Sequence, residues 1–81
     1  MTVFLKVEKF TDIVPGVWFY SDEIKGVIDI CCIECGGLLA LAGYEKALHT
    51  ISENGCVVPS VICTFRGCQF HDHIMLNGFR L

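Results

Sequence analysis

The chain has 81 residues, 53% of them apolar, six cysteines and a formal net charge of −3. The six lysines and arginines are spread along the chain, which argues against nucleic acid as a partner because binding to its backbone requires several phosphates to be neutralised at once. The length corresponds to one domain, and we expect a single domain over residues 1–81.

A domain of this size usually needs a cross-link in addition to its hydrophobic core. The six cysteines can supply one, either as disulfides or as metal ligands. The first residues lack a basic region ahead of an apolar run, and no segment reaches the roughly 18 apolar residues that cross a bilayer. We therefore expect a cytoplasmic protein without a membrane partner, in which the cysteines bind a metal.

The first part of the chain predicts two strands. Residues 3–10 place Val3, Leu5 and Val7 on one face, which is typical of a half-buried strand. Residues 17–20, Val-Trp-Phe-Tyr, follow a Pro-Gly turn and are rich in β-forming side chains. We expect these two strands to pack on one core.

Strands are also predicted on both sides of a cysteine pair. Residues 27–31 lead into the pair and residues 38–42 lead out of it, which favours an antiparallel hairpin with metal ligands at its tip. The segment 38–48 also has apolar residues at helical spacing. A short helix around residues 42–50 is therefore the alternative, although we favour strand through Ala42.

Two Asn-Gly pairs predict further hairpins. Asn54-Gly55 is a strong signal for a type I′ turn, and an extended run resumes after it. Asn77-Gly78 predicts a closing hairpin at the end of the chain. The predicted fold class is a small, mainly β domain of antiparallel hairpins, zinc-ribbon-like and held by one metal site.

The predicted metal site combines two short motifs. Cys32 and Cys35 are two residues apart and are followed by glycine, which is the pattern of half of a tetrahedral zinc site. Cys68 and His71 have the same spacing and predict the second half. We therefore predict Zn²⁺ bound by Cys32, Cys35, Cys68 and His71.

Several alternatives to this ligand set remain. Cys63 precedes Cys68 by a spacing that also occurs in zinc sites, and a site with four cysteines, for zinc or for iron, would use it. His73 is a further candidate ligand, but it alternates with His71, so if His71 faces the metal, His73 is expected to face solvent or to form a hydrogen bond. Cys31 and Cys56 are interpreted as small core residues.

The predicted zinc is structural rather than catalytic. Four protein ligands leave no position for a catalytic water. The His-x-Glu motif that zinc deaminases require before their cysteine pair is absent from the sequence. We expect no enzyme activity.

Several motifs occur along the chain in a characteristic order. They are Pro-Gly-Val-Trp-Phe-Tyr-Ser at residues 15–21, Cys-Gly at 35–36, Pro-Ser-Val at 59–61, Gly-Cys-Gln-Phe-His at 67–71, Ile74, and Asn-Gly at 77–78. Their order resembles a family of small zinc-binding domains of unknown function, found in phages and prophages and beside bacterial ubiquitin-like conjugation genes. The resemblance covers residues 8–81 and implies a zinc-stapled β fold and a phage or mobile-element origin, but no activity. That family usually has a denser first half-site, so Cys31 is an alternative first ligand.

For function, we expect a non-enzymatic protein that binds and inhibits or redirects a host protein. An acidic surface suits occupation of sites that bind polyanions. The alternative is an accessory zinc module of a ubiquitin-like conjugation or nucleic-acid-processing system. We also expect a homodimer, because many large apolar side chains need cover, as does an uncharged strand at residues 56–62, which Pro59 places at a sheet edge or breaks. These side chains are Trp18, Phe19, Tyr20, Phe65, Phe70, Ile74, Leu76 and Phe79.

Overall fold

The computed structural model describes residues 1–21, 26–42 and 49–79. These residues form nine strands, one short 3-10 helix at Phe10–Asp12 and no α-helix. None of them lies in a helix long and apolar enough to cross a membrane. The strands are β1 (Thr2–Lys6), β2 (Val17–Tyr20), β3 (Ile28–Cys31), β4 (Leu38–Ala42), β5 (Thr50–Ile51), β6 (Val57–Val58), β7 (Val61–Ile62), β8 (His71–Asp72) and β9 (Ile74–Asn77).

The small, mainly β fold is confirmed, including strand through Ala42. The alternative helix around residues 42–50 lies mostly outside the described residues, and His49 and Thr50 at its end are not helical. Four of the strand pairs are antiparallel, as expected: β2–β3, β3–β4, β5–β6 and β7–β8.

The largest sheet has five strands in the order β4-β3-β2-β1-β9. In it β1 runs parallel to both of its neighbours, β2 and β9. The parallel β1–β2 pair is joined through residues 7–16, which include the 3-10 helix. The first strand, β1, therefore lies between β2, which is early in the sequence, and β9, which is late.

The prediction for the buried face of β1 is wrong. Val3 and Leu5 are 47% and 56% exposed, whereas Phe4 between them is fully buried. Phe4 pairs in register with Leu76 of β9 and meets the ring of Phe70 edge-on, with 6.2 Å between the ring centroids. The large aromatic ring therefore takes the core side of the strand, and the two smaller apolar residues lie outside.

The core also absorbs most of the large side chains that the sequence suggested would need a partner. Trp18 is fully buried, and its indole N–H donates to the carbonyl oxygen of Asn77 at 2.8 Å. Tyr20 and Phe65 are exposed, and Phe79 is partly buried. Five of the eight side chains are buried: Trp18, Phe19, Phe70, Ile74 and Leu76.

The segment predicted as one edge strand forms parts of two hairpins. β6 pairs with β5 and β7 pairs with β8, and the Val58–Pro59 peptide bond between them is cis. The β5–β6 hairpin at Asn54-Gly55 is confirmed, but its turn is not type I′. That turn requires positive φ at both central residues, and only Gly55 has it, at 90°.

The second Asn-Gly turn is present at the end of β9. Gly78 has a φ of 86°, and the amide of Phe79 donates to the carbonyl oxygen of Leu76 at 3.2 Å. The remainder of the predicted closing hairpin, residues 80–81, lies outside the described residues.

Candidate metal centre

The first cysteine pair lies in the turn that joins β3 to β4, the first knuckle (residues 32–37). The amide of Cys32 donates to the carbonyl oxygen of Gly37 at 2.8 Å, and the amide of Gly36 donates to the carbonyl oxygen of Cys32 at 2.9 Å. Gly36 has a φ of 74°, a conformation that glycine adopts without strain. The local sequence therefore closes a tight turn that carries Cys32 and Cys35.

The second knuckle (residues 63–68) lies in the connection from β7 to β8. The amide of Cys63 donates to the carbonyl oxygen of Phe70, and the amide of Cys68 donates to that of Phe65, both at 3.0 Å. Gly67, with a φ of 83°, lets the chain turn. This knuckle carries Cys63 at its start and Cys68 at its end.

The two knuckles bring four sulfur atoms together. The Sγ atoms of Cys32, Cys35, Cys63 and Cys68 all lie within 4.8 Å of one another. Cys32 Sγ is 3.7 Å from Cys68 Sγ, and Cys35 Sγ is 3.6 Å from Cys63 Sγ. Four sulfurs at about 2.3 Å from a tetrahedral metal ion would be about 3.8 Å apart. The cluster can therefore hold one metal ion.

Three of the four predicted ligands are in this cluster, and Cys63 occupies the fourth place instead of His71. His71 is the first residue of β8, and its Nε2 lies 2.8 Å from the hydroxyl oxygen of Ser60. His73 is exposed. Cys31 is buried beside the cluster, where its thiol donates to the carbonyl oxygen of Gly36 at 3.3 Å.

Cys56 lies away from the cluster. It is partly buried and forms an antiparallel bridge with Met75 of β9. Its backbone amide lies 3.1 Å from the hydroxyl oxygen of Ser52 in the β5–β6 turn. Cys56 therefore serves the attachment of this hairpin to the main sheet and provides a matched control for substitutions in the cluster.

Burial and backbone hydrogen bonds have opposite effects on the thiols. Burial acts to raise the pKa of Cys32, but the amides of Cys35 and Glu34 point at its sulfur and hold the pKa below its usual value. Burial raises the pKa of Cys63 to about 12. Zinc and similar ions bind the thiolate, so metal binding must displace a proton from Cys63.

The four sulfurs differ in their access to solvent. Cys32 is fully buried and Cys63 is 5% exposed, whereas Cys35 is exposed and Cys68 is partly buried. Cys35 and Cys68 open onto a cleft of about 430 Å³ between the knuckles. The cleft is lined by Glu34, Cys35, Arg66, Gly67, Cys68 and Gln69.

The sequence matches no family model, no curated protein and no solved structure.

The metals that the centre could hold follow from its donor set of four thiols. Soft thiolate ligands select zinc or iron over magnesium and calcium. Four of them also complete a tetrahedral coordination shell.

Proposed function

We propose that Cys32, Cys35, Cys63 and Cys68 bind one structural Zn²⁺. The observation that supports this is the convergence of four thiols from two separate hairpins within 4.8 Å. The two-stranded β7–β8 sheet has few ladder contacts of its own, and an isolated hairpin is at best marginally stable. A metal ion shared with the β3–β4 hairpin would fix it in place.

Metal analysis of protein purified without added metal tests this proposal. We expect about one zinc per chain, since tight structural sites retain the ion through purification. Replacement by Co²⁺ should give the charge-transfer and d–d absorption bands of a tetrahedral tetrathiolate site. Folded protein that binds neither zinc nor cobalt would refute the proposal. Stoichiometric iron would instead indicate a rubredoxin-type iron site.

We further propose that the chain is a non-enzymatic binding protein that acts on a host protein in the host cytoplasm. Its support is an apolar groove of about 310 Å³ beside β4, an edge strand of the main sheet. Leu38, Ile62 and Phe65 line this groove and are 47%, 59% and 45% exposed. Contiguous exposed apolar side chains on a small protein are typical of interaction sites. The resemblance to phage and prophage zinc domains favours a host protein as the partner.

Capture from a host-cell lysate with matched variants tests the binding proposal. We expect Ile62→Glu to lose a partner that the unsubstituted protein and Val14→Glu both retain, because Val14 is similarly exposed but lies outside the groove. Equal capture by both variants would refute the groove as the binding surface. Light scattering should accompany the capture. A mass of twice 9.0 kDa that Ile62→Glu reduces to 9.0 kDa would make a second copy of the chain the partner.

A further inference from the structure

Two short sulfur–sulfur contacts of the centre run from one knuckle to the other. One joins Cys32 to Cys68 at 3.7 Å, and the other joins Cys35 to Cys63 at 3.6 Å. Each contact also pairs a sulfur that is open to the cleft, Cys35 or Cys68, with a buried one. Every pair therefore combines a thiol that a small oxidant can reach with a neighbouring thiol protected from it.

We propose that a peroxide converts the centre into two disulfide bonds between the knuckles, Cys32–Cys68 and Cys35–Cys63, with release of Zn²⁺. The same four sulfurs then cross-link the two hairpins in both redox states, through the metal when reduced and covalently when oxidised. This inference rests on the proposed zinc centre and adds a covalent modification to it.

The reaction begins at the accessible sulfur of each pair. The Cys35 thiolate attacks one oxygen of the peroxide, the O–O bond breaks, and a sulfenic acid and hydroxide form. The Cys63 sulfur then attacks the sulfenic sulfur and expels a second hydroxide, which leaves the disulfide. Cys68 and Cys32 react in the same way. In total, four thiolates are oxidised, two molecules of hydrogen peroxide and four protons are consumed, and four waters and Zn²⁺ are released.

Pairing between the knuckles also has the larger effect on the unfolded chain. A disulfide within a knuckle closes a loop of only a few residues, whereas the proposed bonds join residues 36 and 28 positions apart. Longer closed loops restrict the unfolded chain more. The sulfurs must approach from their present contacts to about 2.05 Å. We therefore expect the oxidised, zinc-free protein to keep a cooperative thermal transition and the reduced, zinc-free protein to lose it.

Disulfide mapping of the full chain tests the pairing. The protein is analysed for zinc, treated with hydrogen peroxide, alkylated with iodoacetamide and digested with trypsin and a glutamate-specific protease. Cleavage after Glu34 and Arg66 separates all four cysteines of the centre. We expect peptide 26–34 to be linked to 67–80, and peptide 35–45 to be linked to 54–66. Peptides 26–34 and 54–66 each contain two cysteines, and one thiol in each should be alkylated. One zinc should be released per chain.

Three other outcomes would refute the proposal. They are links of 26–34 to 35–45 and of 54–66 to 67–80, sulfinic or sulfonic acids without disulfides, and disulfides that join different chains. Cys56→Ser, outside the centre, should give the same two disulfide links as the unsubstituted protein, with no alkylated thiol in peptide 54–66. If the starting protein contains no zinc, the zinc proposal fails, and the same map still decides how the sulfurs pair.

Discussion

Cys63→Ser and His71→Ala distinguish the proposed four-cysteine ligand set from the one predicted by sequence spacing. Structural zinc contributes on the order of 10–16 kcal/mol to folding in small domains. The whole stability of a chain of 81 residues is only about 4–12 kcal/mol. Cys63→Ser removes a thiolate and leaves a hydroxyl in a site that is 5% exposed. We therefore expect this variant to lose zinc and its cooperative unfolding transition.

His71→Ala should have a far smaller effect. The side chain is exposed, and its hydrogen bond to Ser60 is worth about 0.5–1.5 kcal/mol. At about 4–8 °C per kcal/mol for a domain of this size, the melting temperature should fall by a few degrees, with one zinc retained. Zinc content by mass spectrometry and thermal unfolding by circular dichroism measure both quantities, and Cys56→Ser controls for the loss of a thiol. Loss of zinc from His71→Ala, with its retention in Cys63→Ser, would refute the four-cysteine centre.

Four other substitutions should change stability in a defined direction. Gly55→Ala should destabilise the protein by more than about 1–2 kcal/mol in urea unfolding. Gly55 has positive φ, and an added methyl group would overlap a backbone carbonyl of β9. Gly67→Ala is the control, because its methyl group would meet no neighbour and only the cost of positive φ should remain. Burial raises the pKa of Asp29, so the charged form of this side chain is disfavoured in the folded protein. Asp29→Asn should therefore raise the melting temperature at pH 7, but not at a pH below the usual carboxyl pKa of 3.8. A hydrogen bond from the Thr2 hydroxyl, together with the amide of His73 and the terminal ammonium, lowers the pKa of Asp72. The charged Asp72 therefore stabilises the fold above pH 3.8, and this stabilisation is lost as the pH falls. Asp72→Asn should lower the melting temperature at pH 7 and have less effect in acid.

The hairpin at the first knuckle was predictable because its signals are local. A strand leads into Cys32, glycines close the turn, and a second strand leads out, all within about 15 residues. The parallel position of β1 was not predictable in this way. One of its two neighbours, β9, lies near the other end of the sequence, and no local pattern reports that pairing. The buried face of β1 was also not readable locally, since apolar residues such as Val3 are also common on protein surfaces.

Spacing alone offered both His71 and Cys63 as the partner of Cys68 and could not decide between them. The two-residue interval between Cys68 and His71 matches the first pair, but His71 already lies in β8, where it contacts Ser60, the residue before β7. A more useful signal is the position of a cysteine relative to the end of a strand. Cys63 directly follows β7, as Cys32 directly follows β3. The longer interval from Cys63 to Cys68 is accommodated because Gly67 adopts positive φ within the second knuckle.

The four-cysteine cluster and the hydrophobic core form one continuous unit. Cys32 and Cys63 belong to the same buried cluster as Phe70 and Val61, and Cys68 packs against it. The core therefore excludes water from one side of the four sulfurs, while the cleft leaves Cys35 open on the other. If a metal ion binds as proposed, this asymmetry has two consequences. The ion would fix the two-stranded β7–β8 hairpin to the core on the buried side, and its ligand Cys35 would stay open to whatever reaches the cleft on the other side.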